Sequence, residues 1–210
     1  MMRAPTFAKE RELSAQGYRF IAGIDEVGRG ALAGPVVAAA VILPLENDFA
    51  WLSRVRDSKQ LTPLRREQIF ELIQQSRIAT GIGMASHTDI DAIGIVKATR
   101  MAMGRAVREL TSPPDSLIID ALSLPEIPLP QWGIVRGDQS SLSIACASIV
   151  AKVTRDRYMT ELDHSYPGYG LARHKGYGTR QHLLSLRRLG SCPIHRRSFA
   201  PVRRLAKGGS

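Results

Sequence analysis

The amino-acid sequence predicts an α/β fold with a central, mixed β-sheet flanked by helices. Short apolar strand patterns alternate with longer helical patterns along the chain, which is the order typical of α/β proteins. The segment Val36–Leu43 is apolar at every position, as expected for a central strand that is covered on both faces. With 210 residues and an apolar fraction of 44%, the chain can form one substantial core.

The strands are predicted from apolar runs that end at acids, prolines or glycines. The first strand covers about residues 18–25. Its alternation places Ala22 and Ile24 on one face, with Gly23 and Asp25 on the other. The remaining strands are predicted at 36–43, 78–85, 117–120 and 132–135.

The helices are predicted from capping residues and from the residues that end them. Thr62 is a preferred N-cap and Pro63 a preferred first residue for a helix that runs to about Gln75. A long helix is predicted from about 88 to the two prolines at 113–114, which end it. The other helices are predicted at 7–16, 140–162 and 179–189.

Positive charge is concentrated at the C-terminal end of the chain. The net charge is +10, and no acidic residue follows Asp163. From Gly170 onward there are ten Lys and Arg residues, which is enough to account for the whole excess. A basic surface of this kind predicts a polyanionic partner such as nucleic acid.

The number of cysteines and the apolar runs indicate in which cellular compartment the protein is expected. Cys146 and Cys192 are too few for a disulfide framework. The N-terminus has no apolar stretch typical of a secretion signal, and prolines interrupt the longest apolar run, Ala31–Leu45. We therefore expect a cytoplasmic protein without a membrane segment.

Acidic residues follow three of the predicted strands. Asp25 and Glu26 follow the first strand, Asp120 ends the fourth, and Asp138 comes shortly after the fifth. If these strands are neighbours and point the same way, the four carboxylates converge, provided that the pleat breaks after Asp25. Oxygen ligands without a Cys or His cluster favour Mg²⁺ or Mn²⁺ over zinc. The pattern predicts a two-metal site for phosphodiester chemistry.

A loop with two glycines directly follows Asp25 and Glu26. Gly28 and Gly30 carry no side chain, so the backbone of a ligand can come close to this loop. Arg29 between them supplies one positive charge. Acids, a metal and such a loop together indicate a site for a phosphate ester.

Taken together, the motifs resemble ribonuclease HII, the bacterial type 2 ribonuclease H. They are IAGIDEVGRG, AGPVVAAAVIL, DSKQL, LIID, SIVAKVTRDRYM, HKGYGT and HRRSF, and they cover about residues 18–202. The resemblance implies a ribonuclease H-like fold, with a catalytic domain at 17–163. A basic C-terminal helical extension at 164–205 packs on that domain to form a single structural unit.

The resemblance also implies an activity. The family is a metal-dependent endonuclease that cleaves the RNA strand of RNA–DNA hybrids. It also cleaves on the 5′ side of single ribonucleotides embedded in duplex DNA, leaving 5′-phosphate and 3′-hydroxyl ends. The expected cofactor is Mg²⁺ or Mn²⁺, with two ions during catalysis, and the expected partners are the hybrid and ribonucleotide-containing duplex DNA. We expect a monomer.

The family's functional positions fall on residues of this chain. Its metal-binding and catalytic acids match Asp25, Glu26, Asp120 and Asp138. Its substrate-binding positions match Gly28, Arg29, Gly30, the phosphate-contacting Lys59 and the substrate-sensing Tyr177. One departure is visible, because Asp120 is usually followed by Gly-Asn in the family and here by Ala121 and Leu122.

Two other functions remain open from the residues. Another two-metal nuclease or strand-transfer enzyme of the same fold would share the acids, although the glycine loop and Tyr177 suit inspection of a 2′-hydroxyl. A non-catalytic basic nucleic-acid-binding protein would have no reason to place four acids where phosphates approach. Taken singly, Asp138 could cap a helix and Lys59 could be a surface lysine. The spacing of His174, His182 and His195 makes no metal site.

Overall fold

The fold is built on a five-stranded mixed sheet. It was obtained as a computed structural model, which describes residues 4–46 and 49–207. The strands are β1 (Ile21–Val27), β2 (Val36–Ile42), β3 (Ala79–Ala85), β4 (Ser116–Asp120) and β5 (Gln131–Ile134), in the order β3-β2-β1-β4-β5. β2 is antiparallel to both of its neighbours, whereas β1, β4 and β5 are mutually parallel. The predicted mixed α/β sheet is thus confirmed.

The helices surround this sheet and extend past it. They are α1 (Ala8–Ala15), α2 (Pro63–Gln75), α3 (His87–Ile93), α4 (Ile95–Arg108), α5 (Leu142–Ser165), α6 (Leu171–His174), α7 (Arg180–Leu189) and α8 (Ala200–Lys207). Short 3₁₀ helices occur at Ala50–Arg54, Ser58–Gln60 and Gly137–Gln139. In the described residues, none of these helices is long and apolar enough to cross a membrane.

The two faces of the sheet are covered by different helices. Ala22 and Ile24 pack in the cluster that includes α4, whereas Ile21 packs with Ile144 of α5 on the other face, as the alternation predicts. Gly23 allows α5 to approach β1 directly, because a Cβ there would overlap the backbone of Ser143. The central helix α5 is therefore seated against the strand that carries the first two acids.

The first strand differs from its predicted bounds. Pairing with β2 continues past Asp25, which lies opposite Ala39, to Glu26 opposite Ala38 and on to Val27. Both acids therefore lie within the paired strand, and the break of the pleat predicted after Asp25 is wrong, because the pairing continues without a bulge. At the other end, Phe20 is outside the strand because Asp115 Oδ2 accepts hydrogen bonds from the backbone N–H groups of residues 19 and 20, at 2.6 and 3.0 Å.

The prediction of one long helix from about residue 88 is wrong, because this segment forms two helices. Gly94 has φ 78° and ψ 159°, a conformation outside the helical region, and it separates α3 from α4. Ser86 caps α3 through a reciprocal capping box with Asp89, so the helix begins earlier than predicted. α4 ends at Arg108, before the prolines are reached.

The C-terminal helices form a cluster of their own on the end of α5. Leu171 of α6, Leu186 of α7 and Val202 of α8 are buried together with Met159 of α5. Leu32, from the loop after β1, joins the same cluster. The predicted helical extension is present, and it packs against the segment that follows the first two acids.

Candidate active site

Three neighbouring parallel strands bring the acids to one edge of the sheet. Asp25 lies near the end of β1 and is 5% exposed, and its Oδ1 accepts a hydrogen bond from the Glu26 N–H at 2.8 Å. Asp120 ends β4, and its Oδ1 accepts one from the Gly137 N–H at 2.8 Å. Asp138 follows on the 3₁₀ turn after β5 and is 4% exposed. The strand order therefore places all four acids on the carboxyl edge of β1, β4 and β5.

The acids act on one another electrostatically. The pKa of the Asp25 carboxyl is raised well above its usual value, first by burial and then by the charges of Glu26 and Asp120. Burial, followed by the neighbouring Asp57, raises the pKa of Asp138. Accumulated, desolvated negative charge of this kind is a feature of functional sites and is relieved by a cation.

Glu26 is only partly satisfied by the protein. Its Oε1 accepts a hydrogen bond from Arg29 Nη1 at 3.1 Å. Its Oε2 is buried and has no hydrogen-bond partner. Burial raises the pKa of Glu26, and the Arg29 charge opposes this effect. One oxygen of this carboxylate is thus left for a ligand.

Lys59 lies at the rim of the acid cluster. Its Nζ is 3.6 Å from Asp138 Oδ2, and its side chain is 82% exposed. Burial by itself would lower the pKa of Lys59, but Asp138 and Asp57, followed by Asp25 and Asp120, raise it overall. An exposed ammonium held over four acids can contact a phosphate that approaches them.

Asp57 is a part of this site that the sequence analysis includes only in the motif that carries Lys59, and not among the acids. Its Oδ1 accepts a hydrogen bond from the Lys59 N–H at 2.9 Å, and its Oδ2 accepts one from Gln139 Nε2 at 3.2 Å. The adjacent Ser58 Oγ lies 2.9 Å from Ser148 Oγ of α5, and the Ser148 hydroxyl lowers the pKa of Asp25, against the larger effect of burial. An Asp immediately before a Ser-Lys pair was the signal, because it can cap the turn that carries the lysine.

The two glycines of the loop have different environments. Gly28 has φ 93°, and a Cβ there would overlap the side chain of Arg155, so the protein itself requires glycine. A Cβ at Gly30 would meet no protein atom within 4 Å. Gly30 is exposed beside the acid cluster, so its bare backbone is available to a ligand.

Tyr177 is joined to the glycine loop through the backbone. It forms an antiparallel bridge with Ala31, and the Leu32 N–H donates to the Gly176 carbonyl at 2.8 Å. The Tyr177 ring is half-buried, with its centroid 5.5 Å from the guanidinium carbon of Arg155. The structure therefore brings the predicted tyrosine and the predicted loop into one surface next to Glu26.

Three buried histidines lie behind Tyr177. His174 and His182 stack with ring centroids 4.3 Å apart, and His182 Nε2 is 3.1 Å from His195 Nε2. The Cys192 N–H donates to His195 Nδ1 at 3.1 Å, so the proton of a neutral His195 is on Nε2 and is donated to His182. His182 Nδ1 then donates to the Tyr177 carbonyl at 3.0 Å. The histidines thus support the tyrosine segment by a defined set of tautomers.

The residues at the acidic edge fit a divalent cation. The donors are carboxylate oxygens, which suit Mg²⁺ or Mn²⁺. Among residues 4–46 and 49–207, no three Asp, Glu, His or Cys side chains form a closed metal-binding group. The buried, unpartnered Glu26 Oε2 and the raised pKa of Asp25 are nevertheless features that a cation would relieve.

Solved structures share this fold. Ribonuclease H2 from Pyrococcus horikoshii superposes with a TM-score of 0.74 at 25% identity, covering 90% of this chain and 97% of that one. Ribonuclease HII from Archaeoglobus fulgidus, solved in a complex with PCNA, gives a TM-score of 0.70 at 27% identity, covering 86% and 95%. A ribonuclease HIII solved with Mn²⁺ has the same fold, with a TM-score of 0.63 at 18% identity, covering 90% and 69%.

Sequence relatives are closer still. A ribonuclease HII from Dehalococcoides mccartyi is 54% identical over 199 residues, covering 95% of this chain and 94% of its own length. One from Geobacillus kaustophilus is 57% identical over 198 residues, covering 94% and 75%. The model of the ribonuclease HII family matches residues 22–202. The chain therefore belongs to the ribonuclease HII family of endonucleases, and its activity is that of a ribonuclease H.

Proposed function

We propose that this chain cleaves the RNA strand of RNA–DNA hybrids and the 5′ side of single ribonucleotides embedded in duplex DNA. The observation that carries the proposal is the adjacency of two surfaces. Glu26 belongs to the acid cluster, yet its Oε1 accepts a hydrogen bond from Arg29 of the glycine loop at 3.1 Å. The loop is in turn paired to Tyr177 through Ala31. A phosphodiester at the acids thus has its ribose next to the loop and the tyrosine.

In this proposal the acids hold Mg²⁺ or Mn²⁺, with two ions present during catalysis. The metal-binding residues are Asp25, Glu26, Asp120 and Asp138. Such ions activate water for attack on the phosphate and stabilise the leaving oxygen. A single divalent ion would already offset part of the mutual repulsion that raises the pKa of Asp25.

The other site residues bind and orient the substrate. Lys59 contacts a phosphate, since its exposed ammonium lies 3.6 Å from Asp138. Gly28, Arg29 and Gly30 bring backbone groups to the 2′-hydroxyl, and Tyr177 packs its ring on the adjacent sugar. The 2′-hydroxyl is recognised but does not attack, so the products carry 5′-phosphate and 3′-hydroxyl ends rather than a cyclic phosphate.

We further propose that the protein is a monomer in the cytoplasm and that its two parts have different roles. Residues 17–163 supply the chemistry. Residues 164–205 form the basic extension that contacts the duplex backbone. The concentration of Lys and Arg after Gly170, with no acid after Asp163, supports this assignment.

The test is incubation with a DNA duplex that contains one ribonucleotide, with EDTA, Mg²⁺ or Mn²⁺. We expect metal-dependent cleavage on the 5′ side of the ribonucleotide, with ends identified by mass spectrometry. The matched all-DNA duplex is the control and stays intact. A 2′,3′-cyclic phosphate end, or cleavage in EDTA, contradicts the proposed mechanism.

A further inference from the structure

Arg196 is a fully buried arginine whose side-chain hydrogen bonds all go to backbone carbonyls, and its guanidinium carbon also lies 5.1 Å from the centroid of the Phe199 ring. It lies between α7 and α8, and its side chain is 0% exposed. Its Nη2 donates to the Gly28 carbonyl at 2.7 Å, its Nη1 to the Arg29 carbonyl at 2.8 Å and its Nε to the Gly34 carbonyl at 3.0 Å. Within the described residues no carboxylate forms an ion pair with it. A buried charge of this kind is costly, so the carbonyls it binds are held firmly.

The bonds to Gly28 and Arg29 fix the orientation of two successive peptide planes. No cis peptide bond occurs in the described chain, so each carbonyl and the following N–H point in opposite directions. Since both carbonyls face Arg196, the N–H groups of Arg29 and Gly30 face away from it. Neither N–H donates to another group in the described structure. Two adjacent outward N–H groups form a concave donor surface.

The buried guanidinium of Arg196 is not needed merely to attach the C-terminal segment to the loop after β1. The Arg196 N–H donates to the Leu32 carbonyl at 2.9 Å, and the Gly34 N–H donates to the Ile194 carbonyl at 3.0 Å. These backbone bonds already join the two segments. Arg155, the other fully buried arginine of this region, donates to the carbonyls of residues 33, 35 and 175 and leaves the glycine loop's carbonyls to Arg196.

We propose that Arg196 is a specificity-determining positioning residue, which fixes the peptide planes of the glycine loop so that the N–H groups of Arg29 and Gly30 meet the ribose 2′-oxygen. The inference rests on the proposed function, in which this loop reads the 2′-hydroxyl. A ribonucleotide supplies an oxygen that accepts from these donors, whereas a deoxyribonucleotide leaves them without a partner. Selectivity then depends on a residue that does not touch the substrate.

The test compares binding by wild type and Arg196→Lys without metal, in EDTA. Lysine keeps the positive charge but replaces the rigid, planar fork of donors by a single compact ammonium, which cannot bond the Gly28, Arg29 and Gly34 carbonyls in the same geometry. The two probes are a duplex with one ribonucleotide and the same duplex made only of DNA. We expect the preference for the ribonucleotide to fall about tenfold, as for the removal of one or two hydrogen bonds. The affinity for all-DNA duplex stays unchanged, because phosphate contacts dominate it.

Leu186→Ala is the control for general loosening. Leu186 is 1% exposed in the same C-terminal cluster but contacts neither the glycine loop nor the acids through a hydrogen bond. The Leu186→Ala substitution is expected to lower the thermal midpoint and to leave the preference for the ribonucleotide duplex unchanged. An unchanged preference in folded Arg196→Lys, or an equal loss in Leu186→Ala, overturns the inference. A wild type without any preference overturns the proposed reading of the 2′-hydroxyl itself.

A second measurement uses the wild type alone. Amide hydrogen exchange by NMR should show fast exchange at Arg29 and Gly30 in the free protein, and slow exchange at Leu32 and Gly34, whose N–H groups are bonded. The ribonucleotide duplex should protect Arg29 and Gly30, and the all-DNA duplex should protect them less. Slow exchange at both positions in the free protein, or equal protection by both duplexes, contradicts the proposal.

Discussion

At the scale of single residues, the placement of the acids at the sheet edge lowers the stability of the folded protein. Asp25 is buried among like charges, which raise its pKa. A group whose folded pKa lies above its unfolded value destabilises the protein at higher pH, where it must ionise, and this cost disappears as the pH falls through the folded pKa. The protein retains a carboxyl at Asp25 whose ionisation is disfavoured by folding, which is expected of a site selected for function.

Asp25→Asn is therefore predicted to remove activity and add stability. Its kcat, and that of Asp120→Asn, should fall more than about a hundredfold, because metal ligands supply several kcal/mol of transition-state stabilisation. Binding to the hybrid should be retained. The thermal midpoint of Asp25→Asn should exceed that of wild type at neutral pH, and the difference should shrink in acid. Glu12→Gln, on the exposed face of α1, is the control and should change neither property.

Ala121 shows how a departure from the family pattern appears in the structure. It follows Asp120, where the resemblance leads us to expect glycine, and it adopts φ 52°, a left-handed conformation. Its N–H donates to the Ile134 carbonyl at 3.1 Å, so the turn keeps its bonding despite the side chain. The sequence showed which residue differed, but the left-handed backbone conformation of that residue was visible only in the structure.

Ala121→Gly is predicted to stabilise the protein by about 0.5–1 kcal/mol. The left-handed region costs an alanine about 1–2 kcal/mol, and the greater freedom of glycine in the unfolded chain offsets part of the gain. Urea unfolding measures the change. Ala92→Gly, at an exposed position in the last turn of α3, provides a control of opposite sign, since glycine is less favourable than alanine in a helix by up to about 1 kcal/mol. A loss of stability in Ala121→Gly would contradict the assignment of strain.

At the scale of elements, strong local signals were sufficient for most of the fold. Thr62 and Pro63 start α2 as predicted, and the apolar run of β2 is central in the sheet. Weak local signals failed where tertiary geometry decided, as at Gly94, whose positive φ divides one predicted helix into two. Whether a glycine is tolerated inside a helix or ends it depends on the packing around it, which no local pattern contains.

The histidines behind Tyr177 form the clearest element-scale network that spacing did not reveal. The pKa of His195 is lowered to about 4, first by burial and then by the nearby His182. An unfolded histidine titrates near 6.5, so between these values the unfolded state binds more protons. The contribution of neutral His195 to the free energy of unfolding is therefore fully present above about pH 6.5, and it declines as the pH falls toward 4.

His195→Gln is predicted to reduce the acid sensitivity of folding. Between pH 7 and pH 4 the wild type should lose up to about 3 kcal/mol through His195, as expected from this pKa difference. The raised pKa of Asp25 contributes with the opposite sign, so the quantity to compare is the difference between variants at each pH. His164→Gln, at an exposed position, should behave as wild type. Parallel stability curves for wild type and His195→Gln would exclude the role given to this residue.

At the scale of the whole molecule, contacts distant in sequence unite the catalytic edge with the C-terminal helices. Arg196 reaches back to Gly28, and Arg155 of α5 reaches both Pro35 and Lys175. The acids could be predicted because they lie at or shortly after the carboxyl ends of three apolar strand patterns. The arginines could not, because an arginine in a basic segment is usually exposed, and only the three-dimensional packing shows that these two are buried.

The last prediction concerns the basic surface of the C-terminal helices. Arg203 and Arg204 of α8 are exposed, whereas Val202 beside them is fully buried, so substitution tests the charge without removing the helix from the core. In the double variant Arg203→Ser, Arg204→Ser, affinity should fall equally for hybrid and DNA duplexes. The slope of log affinity against log salt should become shallower by about 0.9 for each phosphate that the protein no longer neutralises.

Arg108→Ser provides the matched control for that experiment. Arg108 is an exposed arginine at the end of α4, which packs on β3 near its amino end, away from the acids. Because the duplex must reach the carboxyl edge of β1, β4 and β5, this arginine lies outside the expected path, and its removal should leave the salt slope unchanged. If the double variant keeps the wild-type slope, α8 does not contact the phosphate backbone. If Arg108→Ser changes the slope as much, net charge alone explains the salt dependence.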